Sequence, residues 1–226
     1  MGKGRSNYEL IIDPIMKKFI SLLSGGLDSP IAAYLMIKKG FTPAFLSFLT
    51  SDDYEDSMKK KVIKIVKILS KFTNDELKIY FINHDNNLDV FKEFCDRKLT
   101  CVLCKRLMLR IAKKLGELNQ TNIIVTGDIL GEQASQTLDN LYAYNNIISG
   151  CVMLRPLIGC DKQEVIDLNK QIGSYNASSE SSAGCTFNPQ YPETHAKLGE
   201  VLNSEKKVNI EELIMKSIKN AEILKF

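Results

Sequence analysis

The chain has 226 residues, 44% hydrophobic and 25% charged, with a formal net charge of +3, which is the profile of an ordinary globular protein. Fibrous and disordered architectures are excluded, and so weak a positive balance does not by itself mark a nucleic-acid binder. The longest apolar run, Ile31 to Ile37, is far short of the roughly 20 residues a membrane helix needs, so a cytoplasmic protein without a membrane partner is expected. Residues 1–18 lack periodicity and read as an N-terminal arm; Met1 to Ser6 also meets a permissive myristoylation pattern. Short β-rich runs follow at Phe19–Leu23, Pro43–Leu49, Lys78–Asn83 and Ile123–Thr126. Helical patterns separate them: Pro30–Lys39 stopping at Gly40, Ser57–Lys71, and Cys101–Leu118 with Thr100 placed to cap it. Strand and helix in alternation predict an α/β fold, an open and mostly parallel twisted sheet with helices on both faces. Such a sheet binds ligands at the carboxyl ends of its strands. Residues 172–192, rich in Ser, Asn, Gly and Pro, read as a mobile loop. Beyond them Asn209, with Glu212 three residues on, predicts a terminal helix in an extension covering residues 196–226.

Between the first strand and the first helix stands Ser24-Gly25-Gly26-Leu27-Asp28-Ser29. Two glycines allow a tight turn, backbone N–H groups point outward at the helix start, and the Ser24 and Ser29 hydroxyls add donors, so the segment reads as an anion cradle. It is neither a Walker loop nor a dinucleotide fingerprint, because the closing Gly-Lys-Ser/Thr and the third glycine are both missing.

That segment resembles the loop of the PP-loop ATP pyrophosphatases, which cleave ATP between the α and β phosphates and activate a carbonyl oxygen as its adenylate. Three later segments, Cys104–Arg110, Val125–Asn140 and Leu154–Lys162, are similar to one branch of that superfamily, the tRNA 4-thiouridine synthetases (tRNA sulfurtransferases). The resemblance covers most of residues 19–195 and implies an adenine nucleotide alpha hydrolase-like fold there. It implies ATP and Mg²⁺ as cofactors, with nucleotide contacts at Leu22, Leu23, Ser24, Gly25, Gly26, Asp28, Ser29, Ser47, Phe48, Lys105, Gly127 and Gln136. Asp28 would act catalytically beside Mg²⁺ or the departing pyrophosphate. The residue types agree: Gly127 leaves room for a nucleoside, Gln136 both donates and accepts, and Lys105 is a point charge for phosphate.

Cys101 and Cys104 share one helix face, and the helix start with Lys105 and Arg106 is expected to lower their pKa values. One such pair cannot close a tetrahedral site, so a third ligand is wanted. Cys185 is the natural donor, and its surroundings resemble the family segment that carries a catalytic cysteine. Many relatives instead pass a persulfide from an appended rhodanese domain, which this chain ends without. Some relatives hold an iron–sulfur cluster, [4Fe-4S] or [3Fe-4S], on a Cys-x-x-Cys and a distant Cys, which makes Cys101, Cys104 and Cys185 expected metal ligands. A dithiol relay stays open beside it. Cys95, Cys151 and Cys160 read as small buried hydrophobes.

The family's N-terminal RNA-binding region has no counterpart in the few residues before the first strand. The substrate tRNA would then be gripped by a separate RNA-binding protein or by basic faces of the chain. Lys60, Lys64, Lys67 and Lys71 read as a solvated helix stripe, and Arg106, Arg110, Lys113 and Lys114 as a second basic patch. A homodimer would let a short chain borrow surface from its partner. His84 reads as a turn histidine and His195 as a surface one.

The expected activity is ATP-dependent adenylation of a tRNA uridine at O4, position 8 in the family, followed by sulfur replacement to give 4-thiouridine, with sulfide or a persulfide as donor. The alternatives are a non-catalytic nucleotide- or cluster-binding subunit of a thiolation complex, and a PP-loop enzyme acting on a small-molecule carbonyl.

Overall fold

A computed structural model of the chain describes residues 17–50, 57–181 and 185–226. Most of the expected N-terminal arm, residues 1–16, and its lipidation pattern lie outside the described residues. Six strands form one sheet in the order β5-β4-β1-β2-β3-β6. These are β1 (Lys18–Leu22), β2 (Thr42–Leu49), β3 (Lys78–Asn83), β4 (Ile123–Val125), β5 (Val152–Leu154) and β6 (Glu222–Lys225). Pairings among the first five are parallel, and β6 runs antiparallel to β3 at the edge.

Strand residues alternate between two cores, as the period of 2 requires. Phe19, Phe45, Ile79 and Val125 face one side, under α1 (Asp28–Ile37), α2 (Ser57–Leu69), α6 (Lys162–Ile172) and α7 (Tyr175–Ser179). Ile20, Leu46, Ile82 and Ile124 face the other, under α3 (Asp85–Phe94), α4 (Thr100–Leu118), α5 (Leu138–Tyr144), α8 (Leu198–Glu205) and α9 (Ile210–Lys219). Burying one such aliphatic side chain contributes roughly 1.5–3 kcal/mol, so either face lost would unfold the sheet.

The chain runs outward from β1 to β2 to β3, then returns to the opposite side of β1 to place β4. The loops leaving β1 and β4 therefore diverge at adjacent strand ends. A crevice opens there because neither crossover helix covers the gap.

Three expectations differ from the structure. The 196–226 segment is not wholly helical, because its last residues pair with β3 and cap the sheet edge. The 172–192 stretch contains the short helix α7. Thr100 is the first residue of α4 rather than its cap; its hydroxyl donates to Arg97 O at 2.8 Å. The capping carboxylate is Asp96, which accepts from Lys98 N at the head of a 3-10 turn, Arg97–Leu99, that leads into the helix. Asn209 does cap α9, accepting from Glu212 N at 3.2 Å.

Candidate functional site

At the switch between β1 and β4 lies a cavity of about 370 Å³. Leu22, Leu23, Ser24, Asp28 and Ser29 line it from the β1 side, and Phe48 from β2. Cys101, Cys104 and Lys105 come from α4, Gly127 and Gln136 from the segment after β4, and Cys185 from the loop after α7. Ser47 does not line it. Leu46 and Phe48 on either side of Ser47 do, so by strand alternation its buried side chain faces the other side of the sheet.

Gly25 and Gly26 do not line the cavity either, and neither has a positive φ. Gly25 is packed closely from behind: a Cβ there would stand 2.6 Å from Met58 Sδ, so that flexible side chain would have to shift. The two serine hydroxyls, which line the cavity, also clasp the loop. Ser24 N donates to Ser29 Oγ at 2.8 Å, the two Oγ atoms are 3.0 Å apart, and Gly26 N donates to Ser24 Oγ at 3.3 Å. Gly127 also acts differently from the expectation. A Cβ on it would stand 2.6 Å from Ser29 N, so its bare α-carbon lets the end of β4 press against the start of α1. The room it leaves is taken by backbone, not kept for a nucleoside.

Two carboxylates set the electrostatics of the cavity. Asp28 Oδ1 accepts from Lys162 Nζ at 2.8 Å, and Lys162 also reaches Glu132 at 3.0 Å. Burial disfavours the Lys162 charge, but the two carboxylates outweigh it and raise its pKa. Asp128, only 2% exposed, takes Lys105 Nζ at 2.9 Å on one oxygen. Its other oxygen takes Thr126 Oγ1 at 2.7 Å and Arg155 Nε at 3.3 Å. Burial pushes Asp128 up, yet the Lys105 charge, these hydrogen bonds and Arg155 hold its pKa below the ordinary carboxylate value. Lys105 is thus pinned at the cavity wall.

The sequence reading did not single out Asp128, Arg155 or Lys162, although all three stand inside the motif segments. It also missed Asn140, fully buried. Asn140 Nδ2 donates to Ala134 O and Glu193 O at 2.6 and 2.8 Å, and its Oδ1 accepts from Ala196 N at 3.1 Å. This amide ties the Gln136 turn to the segment following the Cys185 loop. Gln136 is buried, and its Oε1 has no hydrogen-bond partner, an open acceptor in the cavity lining.

The three cysteines expected as ligands all reach this cavity. Cys101 Sγ donates to Asn188 Oδ1 at 3.6 Å, and Cys104 Sγ lies 3.4 Å from His84 Nε2. Their pKa values move opposite to expectation. Burial raises Cys101, with Cys185 adding to it; burial pushes Cys104 up to about 12, with Cys185 and Cys101 adding and Lys105 only partly opposing. The helix start and Lys105 are outweighed by desolvation, and Arg106 faces away. Three thiols on one cavity wall are the donor set an iron–sulfur cluster takes, so the residues fit it in kind. Among the described residues, no three His, Cys, Asp or Glu side chains converge closely enough to hold a metal ion as they stand. Cys95, Cys151 and Cys160 are half-buried and pack against the two cores.

Of the second basic patch, Lys113 and Lys114 stay partly exposed, but the two arginines turn inward. Arg106 is completely buried, with Nε and Nη2 each 2.8 Å from a Glu205 oxygen and Nη1 donating to Ala143 O. Arg110 grips the same carboxylate at 2.6 and 2.9 Å. Lys60, Lys64, Lys67 and Lys71 are exposed, as a solvated stripe should be, with Lys64 paired to Glu180 at 2.8 Å. His84 is 2% exposed and burial lowers its pKa to about 4, so it is no ordinary turn histidine. His195 stays on the surface beside Asp139, at 2.7 Å.

The chain is similar to several known proteins. It is 38% identical over 211 residues to a probable tRNA sulfurtransferase of Methanosarcina mazei, and 37% over 199 residues to one of Methanocaldococcus jannaschii. Those matches take in 92% and 85% of this chain but 51% and 50% of the relatives, so the chain spans about half their length. The crystal structure of a 4-thiouridine synthetase–RNA complex with bound ATP superposes with a TM-score of 0.88 and 28% identity, over 93% of this chain and 55% of that one. The NMN synthetase of Francisella tularensis shares the fold at a TM-score of 0.56 and 17% identity, over 88% and 76%. Residues 15–210 match the family model for the Thiamine biosynthesis protein (ThiI), and the chain belongs to that family.

Proposed function

We propose that the chain is an ATP-dependent tRNA sulfurtransferase that adenylates O4 of a tRNA uridine, at position 8, and replaces the adenylate with sulfur to give 4-thiouridine. The observation that carries this reading is the meeting of the 24–29 loop, Lys105 and three cysteines on one cavity. Relatives called tRNA sulfurtransferases and the RNA-bound, ATP-bound 4-thiouridine synthetase support tRNA as partner and ATP as co-substrate.

In this reading the triphosphate sits on the amides at the start of α1, where oriented N–H groups favour an anion. Asp28 would hold Mg²⁺, which suits a single carboxylate because it takes its remaining ligands from phosphate and water. Lys162, already bonded to Asp28 and Glu132, and Lys105 meet the negative charge that grows on the leaving pyrophosphate. Gln136 Oε1 accepts from an amino group of the nucleoside. Uridine O4 attacks the α phosphorus as N3 gives up its proton, the bond from the α phosphorus to the bridging oxygen breaks, and the pyrophosphate carries away that electron pair. Hydrosulfide then bonds to C4 while the C4–O bond breaks, AMP leaves with that electron pair and the sulfur's proton passes to N3, with no net oxidation or reduction. Two moderate barriers replace one large one.

Cys101, Cys104 and Cys185 would hold an iron–sulfur cluster, which when bound supplies an open iron site for sulfide. Cys101 and Cys104 are half-buried at the sulfur end of the cavity, while Cys185 is exposed at its edge. The test is anaerobic incubation of the purified chain with ATP, Mg²⁺, tRNA and sulfide, followed by pyrophosphate assay, nucleoside analysis and iron count. Pyrophosphate and 4-thiouridine in equal amounts bear out the reading. No pyrophosphate leaves the subunit alternative, and pyrophosphate with small acids but not tRNA leaves the small-molecule one.

A further inference from the structure

The turn between β3 and α3 holds a buried polar chain that ends on a cavity thiol. His84 sits on that turn, its backbone N–H donating to Leu49 O at 2.8 Å, and its ring meets Phe48 edge-on at 4.8 Å between centroids. Asn87 Nδ2 donates to Ser217 Oγ at 3.0 Å and lies 3.1 Å from His84 Nδ1. An amide NH₂ offers only protons, so Nδ1 must accept. At the far end Cys104 Sγ donates to Met108 Sδ at 3.7 Å, a thioether that has no proton to give. The donors therefore run outward from Asn87, one to Ser217 on α9 and one to His84 Nδ1, and the single ring proton falls on Nε2, 3.4 Å from Cys104 Sγ.

We propose that His84 is a positioning residue for the sulfur site: its Nε2–H donates to Cys104 Sγ, fixes the direction of that sulfur and steadies negative charge on it, with Asn87 and Ser217 holding the ring in the required tautomer. This rests on Cys104 being a working sulfur, as read above. The physical need is visible in the surroundings. Phe48, Met108 and Leu88 line this end of the cavity and offer no hydrogen to a thiolate or to a sulfur ligand. A partner behind a ligand commonly matters about as much as 10–100-fold in how tightly the ligand holds. Ser217 extends the dependence to α9, far from the nucleotide in sequence.

The test uses the full chain. Ring ¹⁵N spectra at neutral pH should show His84 protonated at Nε2 and bare at Nδ1. Alkylation of Cys104 by iodoacetamide, located by peptide mass, should slow about tenfold in His84→Phe, the loss expected when one hydrogen bond to a charged sulfur goes. His84→Gln should restore it to within about twofold, because a glutamine amide can present N–H where Nε2 stood while phenylalanine only fills the space. Circular dichroism checks both variants for folding, and if His84→Phe does not fold, the tautomer and the His84→Gln rate decide. Protonation at Nδ1, or equal alkylation of the parent and both variants, overturns the proposal. A chain with the Nε2 tautomer and the rescue pattern that makes no 4-thiouridine sustains this inference and defeats only the functional reading.

Discussion

Lys105 and Arg106 are neighbours on α4, and each ends on a carboxylate shared with a second cation. Lys105 and Arg155 meet on Asp128 at the cavity, whereas Arg106 and Arg110 meet on Glu205 behind the helix. The chemistry is nearly the same and the consequence differs. Asp128 lies next to space that a ligand can enter, so its cations are held in place for use. Glu205, the last residue of α8, faces α4, where two fork-shaped guanidiniums satisfy both oxygens and nothing is left to bind. A helix turning about 100° per residue sends adjacent residues to different faces, so one pair faces the cavity and the other holds the helix against its neighbours.

Substitutions on the two sides should separate cleanly. The largest effect is expected at the cavity: Asp28→Ala abolishes pyrophosphate release, and Lys105→Ala lowers it about 10²–10³-fold, the usual scale for removing one group aimed at developing charge. Thermal midpoints of both should stay close to the parent. Glu205→Ala should do the reverse, leaving Arg106 buried without a partner at a loss of about 3–5 kcal/mol; calorimetry should find the midpoint lowered by roughly 6–20 °C. Equal effects of Lys105→Ala and Glu205→Ala on both readouts would erase the distinction.

Gly127→Ala sharpens it further, because the added methyl meets the Ser29 backbone rather than a flexible side chain. A destabilisation of about 1–3 kcal/mol should come with weakened ATP binding, measured by titration calorimetry. A smaller contrast appears in acid. Burial pushes Glu205 up, but the hydrogen bonds and charges of Arg106 and Arg110 prevail and hold its pKa below the ordinary 4.5. The stability it contributes is therefore present above pH 4.5 and is lost as pH falls through its lower folded value. Glu205→Gln should flatten that part of the acid unfolding curve; an unchanged slope would show that the carboxylate is not held this way. The smallest effect is Asn209→Ala, about 1 kcal/mol for a lost helix cap, read from urea midpoints.

The strands and the long helices were legible because their patterns are local. Phe19 and Ile20 alternate, and Asn209 with Glu212 spells a cap. The cavity was legible as a set of motifs, and most of the residues picked from those motifs do line it. What the sequence hid were relations across the fold. Arg106 reads like a surface cation until Glu205 arrives from the C-terminal part of the chain. Asp128 reads as an unremarkable acid until Lys105 and Arg155 close on it. Gly127 looks like room for a ligand until the Ser29 backbone fills that room. The cysteine pKa expectation failed for a related reason: charges near in sequence are easy to count, while the desolvation that outweighs them depends on what packs against the site.

The central claim is that the 24–29 loop, Lys105 and the three cysteines serve one reaction in one cavity. A crystal structure of the chain with ATP and Mg²⁺ tests it most directly. The account predicts the triphosphate on the amides at the start of α1, adenine beside Gln136, and the α phosphate on the side of the cavity lined by Cys104 and Cys185. A nucleotide bound elsewhere, or turned so that its α phosphate points away from those thiols, would contradict it.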